Sequence, residues 1–299
     1  MKQWRDQLRP VPDPETTAWR CFHGVSGPWR GVWIDDFDGR WLVQTESEQF
    51  PAPVREAVGE GLARSVYWKP RDKGARTVPE WIGGERVEAP FLIRENGLAF
   101  WIDFSAGYSQ GIFLDQRENR RRVRERVNAG ERILNTFAYT CAFSVAAAAG
   151  GATSSSLDLS RPYLDWGKRN LEANGFDPGD HFFCKGDVFE WLATFQRQGR
   201  TFHGVVLDPP TFSRNGKRKV FKADKDYADL VTLGCGVVER GGWLLCTGNT
   251  HRLDQRDFEH AVRRGVRAAN RRAGEIEACA MPPEFNGDDY LKTIWVSID

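Results

Sequence analysis

The run Asp208-Pro209-Pro210-Thr211-Phe212 places a carboxylate at the end of an apolar stretch, beside two residues that lack a backbone N–H. Proline fixes its own φ, so two in succession make a stiff corner that aims a carbonyl and a neighbouring side chain at one spot. Such a corner suits chemistry in which a flat ring is held against a reactive group. Two further acids follow apolar runs upstream. Asp158, succeeded by Leu159, stands where a carboxylate can accept hydrogen bonds from both hydroxyls of a ribose. Asp187, followed by Val188, stands where an acid can meet the amino group of an adenine. Taken alone, an acid after a strand fits any nucleoside cofactor, a dinucleotide included. The turn Thr140-Cys141-Ala142-Phe143, however, lacks the glycine spacing that a pyrophosphate needs.

These residues need elements to hold them. After about Gly111, short apolar runs alternate with longer amphipathic ones, the pattern of βαβ units around a parallel sheet. The pattern predicts strands near 132–138, 152–158, 181–185, 203–208, 243–247, 275–281 and 291–298, with helices filling most of the gaps. Ser160 before Arg161-Pro162 reads as an N-cap with proline in the first turn, and Asn174-Gly175 as the matching stop. In such a sheet the ligand lies across the carboxyl ends of the strands, where the three acids fall. The expected fold is therefore α/β, Rossmann-like, with a mostly parallel seven-stranded sheet. From Gly31 to about 110, short alternating runs and one helix-like stretch, PAPVREAVGEGLA, predict a small α+β domain. The chain thus divides into an N-terminal extension (1–30), the small domain (31–110) and the α/β domain (111–299).

At 40% hydrophobic and 28% charged, the composition is that of a globular protein rather than a disordered or membrane-spanning one. The first residues carry charge and proline where a secretory signal needs an apolar run, so a cytoplasmic protein with no membrane association is expected. The six cysteines are scattered without CxxC spacing, which favours buried thiols over disulfides and gives no metal site. Eight of the twelve tryptophans lie in the first third, where core packing of a small sheet accounts for most of them. A net charge of +1 leaves nucleic-acid binding to local clusters. The cluster from Arg117 to Arg126 has interleaved glutamates and suits a solvated helix face as well as RNA contact, whereas Arg214, Lys217, Arg218 and Lys219 follow the Asp208 motif in a loop and favour a functional role.

Several runs together resemble the class I ribosomal RNA large-subunit methyltransferases, which modify cytosine C5 or guanine N7 of 23S RNA. They are Gly111-Ile-Phe-Leu-Asp115-Gln116-Arg117-Glu-Asn-Arg120, Leu134-Asn135-Thr136-Phe137-Ala138-Tyr139-Thr140, Leu157-Asp158-Leu159-Ser160-Arg161-Pro-Tyr163-Leu164-Asp165-Trp166, the Asp208 run, and Tyr290-Leu291-Lys292. The resemblance covers about residues 31–299. It implies S-adenosylmethionine as cofactor and ribosomal RNA, 23S or its precursor particle, as partner. It places Asp158 and Leu159 at the ribose, Asp187 and Val188 at the adenine, and Asn135, Phe137, Tyr139 and Thr140 around the methionine end. Asp115 and Arg117 would close the site, with Arg117 either a partner for the methionine carboxylate or half of a structural ion pair. Asp208, Pro209, Pro210, Phe212 and Asn249 would hold the base. The chain departs from the family at Cys141, where glycine is usual, and in the RNA-binding module that precedes the small domain in many relatives, for which residues 1–30 are too few.

The cytosine branch needs a thiolate after the fifth strand, because ring carbon C5 is not nucleophilic until sulfur adds beside it. Here that segment reads Leu244-Leu245-Cys246-Thr247-Gly248-Asn249-Thr250, with Asn249 at the expected cysteine position. The guanine-N7 branch, which needs positioning only, resembles the chain better. An exocyclic amine of a base is a further target, since Asp208 could accept an amine hydrogen while the nitrogen attacks; a methyltransferase acting on a small molecule or protein, and an inactive RNA-binding protein of the same fold, are the other competing expectations.

Overall fold

The computed structural model describes residues 4–71, 78–106, 109–213 and 221–299. The chain forms two compact units, one of residues 1–117 with 282–288, the other of residues 118–281 with 289–299.

The first unit is built on a five-stranded sheet of β1 (Ala18–His23), β2 (Val32–Phe37), β3 (Arg40–Thr45), β4 (Ser65–Pro70) and β5 (Glu80–Gly84), in that order. Asp38-Gly39 joins β2 to β3 with both residues at positive φ, 57° and 77°. That conformation matches the strand twist of a two-residue hairpin and suits only such residues. Asn96-Gly97 repeats the device between β6 (Phe91–Glu95) and β7 (Leu98–Ile102). β4 runs parallel to β3, so the chain must cross over between them. The stretch expected as a helix there forms only a 3₁₀ segment, Ala52–Ala57. Pro51 and Pro53 remove donors at its start, and Gly59 and Gly61 raise the cost of continuing. The unit is thus richer in strand than the α+β expectation. Its edge strand, β1, falls within the stretch read from sequence as an extension.

The second unit carries the α/β pattern. α1 (Arg117–Arg126) leads into it, and the elements β8 (Arg132–Thr136), α2 (Ala142–Ala149), β9 (Thr153–Asp158), α3 (Arg161–Glu172), β10 (Phe182–Lys185), α4 (Val188–Arg197) and β11 (Phe202–Leu207) alternate. A short pair, β12 (Phe212–Ser213) with β13 (Phe221–Lys222), precedes α5 (Ala223–Cys235), β14 (Val238–Asn249), α6 (Gln255–Ala268), β15 (Ala273–Cys279) and β16 (Leu291–Ile298). The seven-stranded sheet has the order β10-β9-β8-β11-β14-β16-β15, with β16 antiparallel to both neighbours and the first five strands parallel. Strand order reverses between β8 and β11, which opens a crevice at their carboxyl ends. Leu134, Leu157, Val205, Leu207 and Leu244 are fully buried under α4–α6, as strands covered on both faces require. No helix among the described residues is long and apolar enough to cross a membrane.

Candidate active site

The turn after β8 is strained. Phe137, Tyr139 and Cys141 all take positive φ (53°, 48° and 60°), a region costly for residues with a Cβ. What holds it is hydrogen bonding to the next strand. Ala138 N–H donates to the carbonyl of Leu157 at 2.9 Å, and Tyr139 N–H to Asp158 Oδ2 at 2.9 Å. The other oxygen of Asp158 accepts from Ser160 N–H at 2.8 Å. Burial lifts the Asp158 carboxyl above its ordinary range, and these two N–H groups oppose the shift. Ser160 caps α3 by accepting from Tyr163 N–H, as its position in sequence predicted.

Cys141 accounts for its own presence where glycine is usual. Its side chain is fully buried with Ala138 and Leu164, against α3. A Cβ on Gly167 of that helix would overlap the Cys141 sulfur, so the absent side chain on α3 makes room for the extra one in the turn. The turn therefore keeps its left-handed geometry with a Cβ directed into the interior.

Adjacent strands bring Asp158 and Asp187 together. Lys185 pairs with Asp158, and Gly186 N–H donates to the Asp158 carbonyl at 2.9 Å, which sets Asp187 beside it. Asp187 also caps α4, accepting from Glu190 N–H at 3.0 Å. Leu159 is 43% exposed despite being apolar, a side chain that a ligand at this edge would cover. Three aromatics flank the same region: Phe137 lies 6.4 Å from Phe221, stacked, and Phe189 5.5 Å from Phe221. Neither Phe189 nor Phe221 was legible from sequence, since nothing local marks an aromatic whose partner comes from a distant part of the chain.

At the reversal point the Asp208 corner is fastened to β14. Thr247 donates its hydroxyl to Asp208 Oδ1, and Thr211 Oγ1 donates to the Asn249 carbonyl at 2.7 Å. Tyr227 from α5 donates to the Leu207 carbonyl at 2.9 Å. Asp208 and Asn249, distant in sequence, thereby share one rim with Pro209 buried and Pro210 exposed. The backbone of Phe212 pairs with Lys222. The Phe212 side chain and the basic loop with Arg214, Lys217, Arg218 and Lys219 lie outside the described residues. Beyond Asn249, Thr250 N–H donates to the Tyr290 carbonyl at 2.7 Å, and buried Lys292 donates to the Thr250 carbonyl at 3.2 Å.

Several of the expected site residues make other contacts in the structure. Asn135 points into the packing between sheet and α2, its Nδ2 donating to Ser144 Oγ at 3.0 Å, because its place inside β8 turns it away from the strand end. Val188 is buried in the core at the first turn of α4. Thr140 is fully buried, and its carbonyl accepts from Asn170 at 2.9 Å. Asp115 and Arg117 belong to the first unit. Of the two roles open to Arg117, the structure shows the ion pair: its guanidinium clasps Glu284 through both terminal nitrogens, with both side chains buried.

The donor set fits a nucleoside with an adenine and a free ribose: paired acids at neighbouring strand ends, an exposed leucine and a group of aromatic rings. The sequence profile of the S-adenosylmethionine-dependent methyltransferases matches residues 48–292. A Bacillus subtilis protein, YwbD, provisionally named a ribosomal RNA large subunit methyltransferase, is 33% identical over 94% of this chain and 74% of its own length. Ribosomal RNA large subunit methyltransferase K of Neisseria meningitidis is 36% identical over 73% of this chain and 63% of its own. The solved structure of SMU.776, assigned as a methyltransferase and complexed with SAH, superposes with a TM-score of 0.83 at 28% identity, covering 95% of this chain and 76% of that one. The chain therefore belongs to the S-adenosylmethionine-dependent methyltransferase family, among the ribosomal RNA large-subunit group, and S-adenosylmethionine is its methyl donor.

Proposed function

We propose that this enzyme methylates a guanine of large-subunit ribosomal RNA at N7, without a covalent enzyme–base adduct. The observation that carries the reading is the end of β14. Asn249 is exposed at the rim, where a cysteine nucleophile would have to stand, whereas Cys246 is fully buried inside the strand. Burial pushes the Cys246 thiol far above its ordinary value, the wrong direction for a nucleophile. The two ribosomal RNA large subunit methyltransferases named above, of which this chain spans 74% and 63%, support ribosomal RNA as the substrate class.

S-adenosylmethionine supplies an electrophilic sulfonium methyl. Guanine N7 has an in-plane lone pair and no proton to lose, so the protein need only hold the ring and exclude water. In this reading the Asp208 carboxylate accepts hydrogens from the base, Asn249 bonds its edge, the proline corner fixes the plane and Phe212 stacks against it. Asp158 accepts from the ribose hydroxyls, Asp187 from the adenine amine, and Leu159, Phe137 and Tyr139 line the cofactor.

The test is transfer of labelled methyl to protein-free 23S RNA, followed by nucleoside digestion and mass identification. Labelled 7-methylguanosine is expected. Labelled 5-methylcytidine would overturn the choice of atom, and labelled protein or small molecule in place of RNA would overturn the substrate.

A further inference from the structure

Most arginines of this chain are spoken for. On α1, Arg121 pairs with Glu118 and Glu125, Arg122 with Glu277, and Arg126 lies over the Trp295 ring. On α6, Arg263 pairs with Glu259 at 2.7 Å, and Arg271, just beyond, donates to the carbonyls of Cys235, Val238 and Glu239. Arg256, His260, Arg264 and Arg267 differ. All are exposed, and among the described residues the three arginines make no ion pair.

Their spacing puts them in a row. Positions 256, 260 and 264 are four apart, so they stack on one helix face at intervals of about 6 Å, with Arg267 one turn on. The opposite face carries Phe258, Val262, Gly265 and Val266 into the core, where Gly265 lets α6 approach Ala228 and Val231 of α5. The row is thus fixed outward by packing. Asp257, the acid beside it, lies in the first turn, where the helix dipole favours a negative charge. α6 starts just after Asn249, so the row begins near the rim that holds the base and leads away from it.

We propose that this face of α6 grips the phosphate backbone of RNA flanking the target base; the inference rests on the ribosomal RNA reading above. A line of unpaired guanidiniums, each able to fork onto phosphate oxygens, is complementary to a polyanion of regular charge spacing. Among the described residues the exposed large apolar side chains all lie off α6, and a protein-binding surface would need such anchors.

The test compares the full chain with its R256Q/R264Q/R267Q variant on a large-subunit ribosomal RNA transcript, measuring Kd across a salt series. Removing three phosphate contacts should flatten the slope of log K against log salt by about 2, and weaken binding roughly tenfold or more at moderate salt. Affinity for S-adenosylmethionine and the thermal midpoint should stay unchanged, and an R161Q/R197Q control should bind like wild type. A variant matching wild type in Kd and slope would overturn the proposal while wild-type RNA methylation left the functional reading intact. A wild type that methylates no RNA would instead bring down that reading. Unchanged RNA binding with lost affinity for poly-glutamate would assign the face to an acidic protein and also overturn the proposal.

Discussion

Asp158 and Thr247 make the sharpest claims at the scale of single residues. The Asp158 carboxylate is already fixed by two backbone N–H groups, so under the proposed ribose role it would need no rearrangement. Hydrogen bonds to a charged acceptor contribute about 1.5–3 kcal/mol. Asp158→Ala should therefore weaken S-adenosylmethionine about 10- to 100-fold in a calorimetric titration, and wild-type affinity in the variant would remove the ribose role. Thr247 touches no ligand in this reading and acts by orienting Asp208. Thr247→Val should lower the single-turnover methyl-transfer rate roughly tenfold or more while leaving cofactor affinity in place, and Thr247→Ser should restore it. If Thr247→Val slowed transfer equally in an Asp208→Ala background, the two side chains would not act together.

At the scale of elements, the turn after β8 and helix α3 are adapted to each other. Cys141 occupies space that Gly167 leaves, so a methyl at 167 must displace a sulfur and a Cβ. Overpacking of this kind costs about 1–3 kcal/mol. Gly167→Ala should lose that much in urea unfolding, and Cys141→Gly should recover most of it in the double variant. Additive losses would mean that the contact is relieved elsewhere. Because the Cys141 side chain points into the interior, Cys141→Gly alone should bind S-adenosylmethionine within about twofold of wild type. The glycine-to-cysteine departure is thus a packing exchange between two elements, and it gives no ground for an inactive protein.

For the molecule as a whole, two titratable groups buried in the first unit contribute opposite dependences of stability on pH. Burial, with the guanidiniums of Arg20, Arg9 and Arg71, brings the His23 imidazole down to a pKa of about 3. Its Nδ1 lies 3.4 Å from an Arg20 nitrogen, a contact that suits the neutral ring. Below pH 6.5 the unfolded chain takes up this proton and the folded one does not, so stability is full above pH 6.5 and falls toward pH 3. Asp36 opposes it. Burial raises its carboxyl to about 6 against the bonds from Trp41 and Gly39, so its contribution is present at low pH and lost as pH rises through 6. His23→Gln should remove the first effect, so the stability gap between wild type and variant should narrow by up to a few kcal/mol as pH drops from 7 to 4.5. A gap that stays constant across that range would show that His23 titrates in the folded protein as it does in the unfolded chain.

The order of strands and helices in the second unit, and the placement of Asp158, Asp187 and Asp208 at strand ends, were determined by sequence alone. Periodicity, caps and proline corners act between near neighbours, so they are written locally. The same local pattern overstated the Ala52–Ala57 segment, where prolines and glycines cut a helix to a single 3₁₀ stretch. Tertiary structure alone decided which way the side chains face and with whom they pair. It turned Asn135 into the α2 interface, closed Arg117 onto Glu284 across 167 residues, and set Thr247 on Asp208 across 39. It also left one row of arginines on α6 facing outward while those on α1 found acids and rings. The physical reason is that hydrogen bonds and ion pairs depend on distances a few ångströms wide between residues far apart in the chain, and only the packed fold fixes those distances.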